Sequence, residues 1–249
     1  MSGQSILLLQ GDAEAALLAN AETAIETIFP GSEVRVSRAW TTRPDWIGPL
    51  RTHPPAPLVQ SGALPDEDIP ALLAQRHALV VLSLLPSVAV PALRHRDGGT
   101  FLAHRGIEST WDARTAEMVR KQCVELLPLT AESTVTLFEP IVERLLAEGA
   151  AVALCTAFRH VAGPLHFRRG DRPPLREDIR RLNLEITRLS HRSGCFVLDV
   201  DRVLSEKGGA RLGADCFGGG DAAADAVLDE FAALLLDALP EGLAALETA

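Results

Sequence analysis

Tyrosine is absent from these 249 residues, and methionine occurs only twice. Beside the abundance of Ala, Leu and Arg, that reads as genome composition rather than function. No Cys-x-x-Cys pair is present. The four cysteines, Cys123, Cys155, Cys195 and Cys216, stand far apart, whereas a metal site needs closer ligand spacing. Cys155 and Cys195 lie inside apolar runs and read as buried thiols. Positive charge is not in excess: 24 Lys and Arg face 33 Asp and Glu, a formal net charge of -9. That balance argues against general nucleic-acid binding and against an anionic membrane surface, while leaving room for a local basic site. Long hydrophobic runs are missing too. The first apolar run, Ile6–Leu9, follows MSGQS without a basic residue before it. It is too short for a secretion signal or a membrane span. The expectation is a cytoplasmic, reduced setting, with no metal, no cofactor and no membrane.

What is present is an ordinary globular composition, 47% hydrophobic and 23% charged, in a chain long enough for one large domain over residues 1–249. Five short apolar runs punctuate it: Ile6–Leu9, Val34–Val36, Ala78–Leu84, Ala151–Thr156 and Cys195–Val200. None alternates with period two, so they suit strands buried on both faces. Helical patterns lie between and after them, at Glu14–Ile28, Ala131–Glu148, Leu175–Ser190 and Asp221–Leu239. Pro30-Gly31, Gly149 and Pro240 act as stops. Alternating strand and helix with right-handed crossovers predict a three-layer α/β domain. Its five-stranded parallel sheet is flavodoxin-like, in the order 2-1-3-4-5. Two stretches read as irregular, Thr41–Pro70 and Pro86–Trp111, and long loops in a compact domain tend to be functional.

In open parallel sheets, ligands bind beyond the carboxyl ends of the strands. Gly11-Asp12-Ala13 stands just past the first run, and Leu212–Leu236, LGADCFGGGDAAADAVLDEFAALLL, reads as a loop entering a helix. Upstream, Arg180–Asn183, Gly194 and VLDVDRVL to Leu204 complete an ordered series. Together these segments resemble the SGNH (GDSL) hydrolase family. In that family a Gly-Asp-Ser closes the first strand, and an Asp-x-x-His precedes the last helix. The resemblance implies that Ala13 occupies the place of the serine nucleophile and Gly218 that of the histidine, three after Asp215. The Gly-x-Asn-Asp block falls near Leu85–Val88, with Ser87 or a neighbour in place of the oxyanion-binding asparagine. The glycine of the second block has no counterpart in SRAWTTRP. Only Asp12 and Asp215 remain of the polar set. Acyl transfer needs an activated nucleophile and donors for the oxyanion, and a methyl group and a glycine supply neither.

Other groups can take over the emptied face. The FGGGD segment offers Gly218, Gly219 and Gly220 as converging amides for a phosphate or carboxylate, or it is a flexible turn capped by Asp221. The segments Arg94-His95-Arg96 and His104-Arg105, with Arg159-His160 after the fourth run, suit an anionic ligand or a solvated surface. His95, His104 and His160 are the candidate relocated bases, with Ser83 or Ser87 as nucleophile. His53, His77, His166 and His191 read as loop or helix-surface residues. Asp12 and Asp215 can pair as acid and base or serve as local caps. Trp40 and Trp46, beside Arg38 and Arg43, line a pocket or anchor their loop. Three readings follow. One is a non-hydrolytic protein binding an acyl-, sugar- or phosphate-bearing small molecule or a protein partner. Another is an ester hydrolase or acyltransferase with relocated groups. The last is a flavodoxin-like regulatory domain, disfavoured because the first loop lacks hydroxyls for a flavin phosphate.

Overall fold

The computed structural model describes residues 5–9, 33–37, 76–89, 91–96, 100–102, 113–161, 174–214, 216 and 221–239. Five strands form the main sheet: β1 (Ser5–Leu9), β2 (Glu33–Ser37), β3 (Leu79–Ser83), β7 (Ala151–Cys155) and β8 (Phe196–Leu198). They run parallel in the order β2-β1-β3-β7-β8. Each of the five apolar runs thus supplies one strand.

The side chains of the two central strands divide by parity, as a pleat requires. On one face Val80 and Leu82 of β3 lie beside Val152 and Leu154 of β7, register partners in the sheet. This face is covered by α3 (Ala131–Ala147) and α4 (Leu175–Ser193). On the other face Leu79, Val81, Ala153 and Cys155 pack with residues of α5 (Val200–Glu206) and α6 (Asp221–Ala238). Period three to four places Leu175, Ile179, Leu182, Ile186 and Leu189 of α4 on one buried stripe. Residues Ala223, Ala224, Val227, Phe231, Leu234 and Leu235 do the same on α6.

Helix ends obey local chemistry. Thr130 Oγ1 accepts from the Ser133 amide at 3.1 Å and caps α3. Gly194 closes α4 at φ +77°, its amide donating to the Ser190 carbonyl at 2.8 Å.

The described parts of the stretch Pro86–Trp111 contain regular structure. Leu85–Ala89 form a short helix, α1. Then β4 (Ala92–His95) pairs antiparallel with both β5 (Thr100–Leu102) and β6 (Cys123–Leu126), after α2 (Ala113–Gln122). This makes a second, three-stranded sheet in the order β5-β4-β6. The basic Arg94 and His95 therefore stand on a strand, not in an irregular loop. The overlooked signal is Asp97-Gly98-Gly99, a turn sequence suited to a tight hairpin.

Candidate functional site

The carboxyl ends of β3, β7 and β8 meet at Ser83, Cys155 and Leu198. Ser83 and Cys155 are register partners, as are Cys155 and Leu198. The Ser83 hydroxyl is buried and has no hydrogen-bond partner among the described residues. Past Leu84 the chain turns at once into α1. There Ser87 is buried, its amide donating to the Leu84 carbonyl at 3.2 Å and its carbonyl accepting from the Leu129 amide at 2.8 Å. Ser87 is a structural link between α1 and the entry to α3.

The rim beyond β7 is built by side chains that hold backbone. The Thr156 amide donates to the Leu198 carbonyl at 3.0 Å, carrying the β7–β8 pairing one residue further. Thr156 Oγ1 donates to Asp199 Oδ1 at 2.8 Å and accepts from the Asp201 amide at 3.0 Å. Asp199 also accepts from the Arg202 amide at 3.2 Å, which caps α5. Next, Asn183 on α4 grips both backbone groups of Ala157. Its Oδ1 accepts from the amide at 2.9 Å and its Nδ2 donates to the carbonyl at 2.8 Å. Asn183→Ala strands two groups of a buried residue, at about 1–3 kcal/mol each. Urea unfolding of that variant is expected to show a loss of about 2–4 kcal/mol. A loss under about 0.5 kcal/mol would mean the clamp is dispensable.

With the rim fixed, Arg159 is held in place. Its amide donates to Asp201 Oδ1 at 3.0 Å, its Nε lies 3.5 Å from the same oxygen, and its Nη2 donates to Ser205 Oγ at 3.1 Å. His160 is exposed and its ring sits 6.1 Å from that of Phe158 at an interplanar angle of 42°. The His160 carbonyl accepts from the Cys216 amide at 2.7 Å. That bond ties Cys216 to the β7 rim.

The other sequence candidates scatter. His95 is buried, and its Nε2 lies 2.8 Å from Gln122 Oε1. Arg94 and Arg96 are exposed around it, in the second sheet and its turn. His77, read as a surface residue, is buried, whereas His191 is exposed in the last turn of α4. Asp12, Ala13, Trp40, Trp46, His53, His104, Arg105, His166, Asp215, Gly218, Gly219 and Gly220 lie outside the described residues. No disulfide joins the four cysteines, and Cys155, Cys195 and Cys216 are buried. Burial pushes the Cys123 thiol up to about 11 and raises that of Cys195 as well, so neither is a ready thiolate.

The structure adds two residues that the sequence did not single out. Arg159 and His160 line a cleft of about 470 Å³ together with Arg176, in the first turn of α4, and Arg211, in the turn after α5. Helix α4 starts at the carboxyl end of the sheet because it returns the chain from β7 to a parallel neighbour. No local pattern marks either arginine; in sequence each is one more charge on a polar surface. Among the described residues, no group of three His, Cys, Asp or Glu is placed to hold a metal. Nor is any helix there long and apolar enough to cross a membrane.

No family model matches the sequence, and no curated protein matches it either. Backbone shape does give matches: the chain shares its α/β fold with esterases of the SGNH (GDSL) type. One is the acetylxylan esterase Axe2 of Geobacillus stearothermophilus, 11% identical over 95% of this chain and 94% of that one, with a TM-score of 0.53. Another is a GDSL-like lipase of Bacteroides thetaiotaomicron VPI-5482, 13% identical over 95% and 89%, with a TM-score of 0.54. At such identities the likeness establishes the fold.

Proposed function

We propose that this chain is a non-hydrolytic protein on an SGNH-type fold, binding a small molecule over the carboxyl ends of its strands. One observation carries the reading. β1, which pairs with β2 on one side and β3 on the other, leads in sequence into Gly11-Asp12-Ala13. On this reading the methyl group of Ala13 takes the place of an attacking oxygen. Gly218, three after Asp215, has no base to offer. The relocated-enzyme reading finds little support in its remaining candidates. Ser83 has a shielded hydroxyl, Ser87 is buried inside α1, and His95 is buried against Gln122. The ligand is acyl-, sugar- or phosphate-bearing, with a protein partner as the remaining option.

Incubation with p-nitrophenyl acetate tests the negative half. No saturable release of nitrophenol above a heat-treated control is expected, and no labelling by a fluorophosphonate probe. Saturable turnover abolished by Ser83→Ala or His160→Ala would replace this reading with a relocated hydrolase.

A further inference from the structure

We infer that the cleft between the β7 rim, the start of α4 and the turn after α5 is a binding site for a small phosphomonoester. The inference rests on the ligand-binding half of the function proposed above and is independent of whether esters are hydrolysed. Three arginines, Arg159, Arg176 and Arg211, line one concavity from three separate elements. They do so in a chain whose formal net charge is -9, so the cleft is a local attractive spot in a field that otherwise repels anions. Asp201 already balances Arg159, so the uncompensated charge of the cleft is that of Arg176 and Arg211, and a phosphate dianion is the compact group that answers two cations. Arginine forks also match its oxygens two at a time.

The three arginines are not equivalent. Arg159 is already oriented by Asp201 and Ser205. Among the described residues, no salt bridge engages Arg176 or Arg211, and both are exposed and ready to receive a ligand oxygen. The remaining walls suit what a phosphate is attached to. Phe158 and His160 present tilted rings along one side. Beside the Phe158 ring the lining is backbone, Gly209, with Gly208 at φ +72° before it. A Cβ on Gly209 would sit 2.9 Å from both the Cβ and the carbonyl oxygen of Leu204, and 3.2 Å from the ring of Phe158. The turn is thus packed directly on the floor of the cleft. About 470 Å³ exceeds what a phosphate fills and falls in the range of small-molecule pockets. The excess, lined by rings, fits a cyclic organic group on the phosphate ester.

The experiment is calorimetric titration of the full chain with phenyl phosphate, inorganic phosphate and benzoate, at two salt concentrations. Phenyl phosphate should bind more tightly than inorganic phosphate, and benzoate, with one charge, more weakly than phenyl phosphate. Arg176→Ala and Arg211→Ala should each weaken phenyl phosphate binding by about ten- to a hundredfold, the usual loss for one charge-assisted contact. Raising the salt should weaken it as well. Because both side chains are exposed, the variants should keep the wild-type melting curve, which serves as the folding control. The paired variant Arg94→Ala with Arg96→Ala removes the other basic segment and should bind as wild type does. Absence of phenyl phosphate binding at millimolar concentration overturns the proposal. So does wild-type affinity in a double Arg176→Ala, Arg211→Ala variant, or loss of binding in the Arg94, Arg96 variant instead. Ester turnover by wild type would sink the non-hydrolytic reading and leave this site standing.

Discussion

The double variant Ala13→Ser, Gly218→His is expected to hydrolyse p-nitrophenyl acetate no faster than wild type. On the proposed reading the two substitutions supply the groups whose individual loss costs about 10^6 in turnover in a serine hydrolase. A working esterase should therefore reappear if the rest of the apparatus were intact. The rest is what the sequence lacks. No asparagine occurs in Leu85–Val88, and Ser87, the nearest polar candidate there, is buried, with both backbone groups hydrogen-bonded within the fold. Each missing oxyanion donor costs about 10^2–10^3 in rate, and the donors matter only once a nucleophile attacks. Saturable hydrolysis by the double variant, lost again on reverting residue 13, would show that the divergence stops at the two replaced positions.

Phe231→Ala should remove about 3–5 kcal/mol of stability, the usual cost of emptying a buried aromatic site. Phe231 is fully buried and among the largest of the side chains in that state. It belongs to the cluster in which α6 covers Leu79 and Val81 of β3 and Ala153 of β7. Collapse around the hole is hindered because the facing residues are held in register by the sheet. Asp225→Ala, on the exposed side of the same helix, is the control and should stay within about 0.5 kcal/mol of wild type. Equal melting curves for the two variants would mean that α6 does not close that face in solution.

The parts of the fold that could be read in advance are those in which hydrophobic runs and periodicity agree. Residues 151–155, AVALC, have no polar member and became a strand lying between two others. The spacing of Ile179, Leu182, Ile186 and Leu189 marked the buried stripe of α4 before any packing was known. The second sheet was harder. Its strands are three or four residues long, and β6 leaves Val124 and Glu125 exposed. Such strands carry neither an apolar run nor an alternation. Helix α5 is only seven residues long, under two turns, and gives no period to detect. The cleft was illegible for another reason. Arg159, Arg176 and Arg211 share no spacing and meet only because a parallel crossover returns α4 to the strand ends. Arg159-His160 was accessible to reasoning through its place just past a strand; its two partners were not.

The main sheet is built largely from pairings that are distant in sequence. β3 pairs with β1 across residues 10–78 and with β7 across residues 84–150, and β7 pairs with β8 across residues 156–195. Closing so long an interval carries an entropic cost that neighbouring contacts do not, and distant pairings slow folding. The β3–β7 seam is therefore one of two long closures made by the central strand, and both belong to the slow part of folding. Ser83 and Cys155 sit at the end of that seam. A nascent chain thus presents β1, β2 and β3 well before the Arg159 rim, which is built by α4, β8 and α5. The cleft is then complete only once the chain has been made past Arg211, and the β3 side of the face waits for its partner until then.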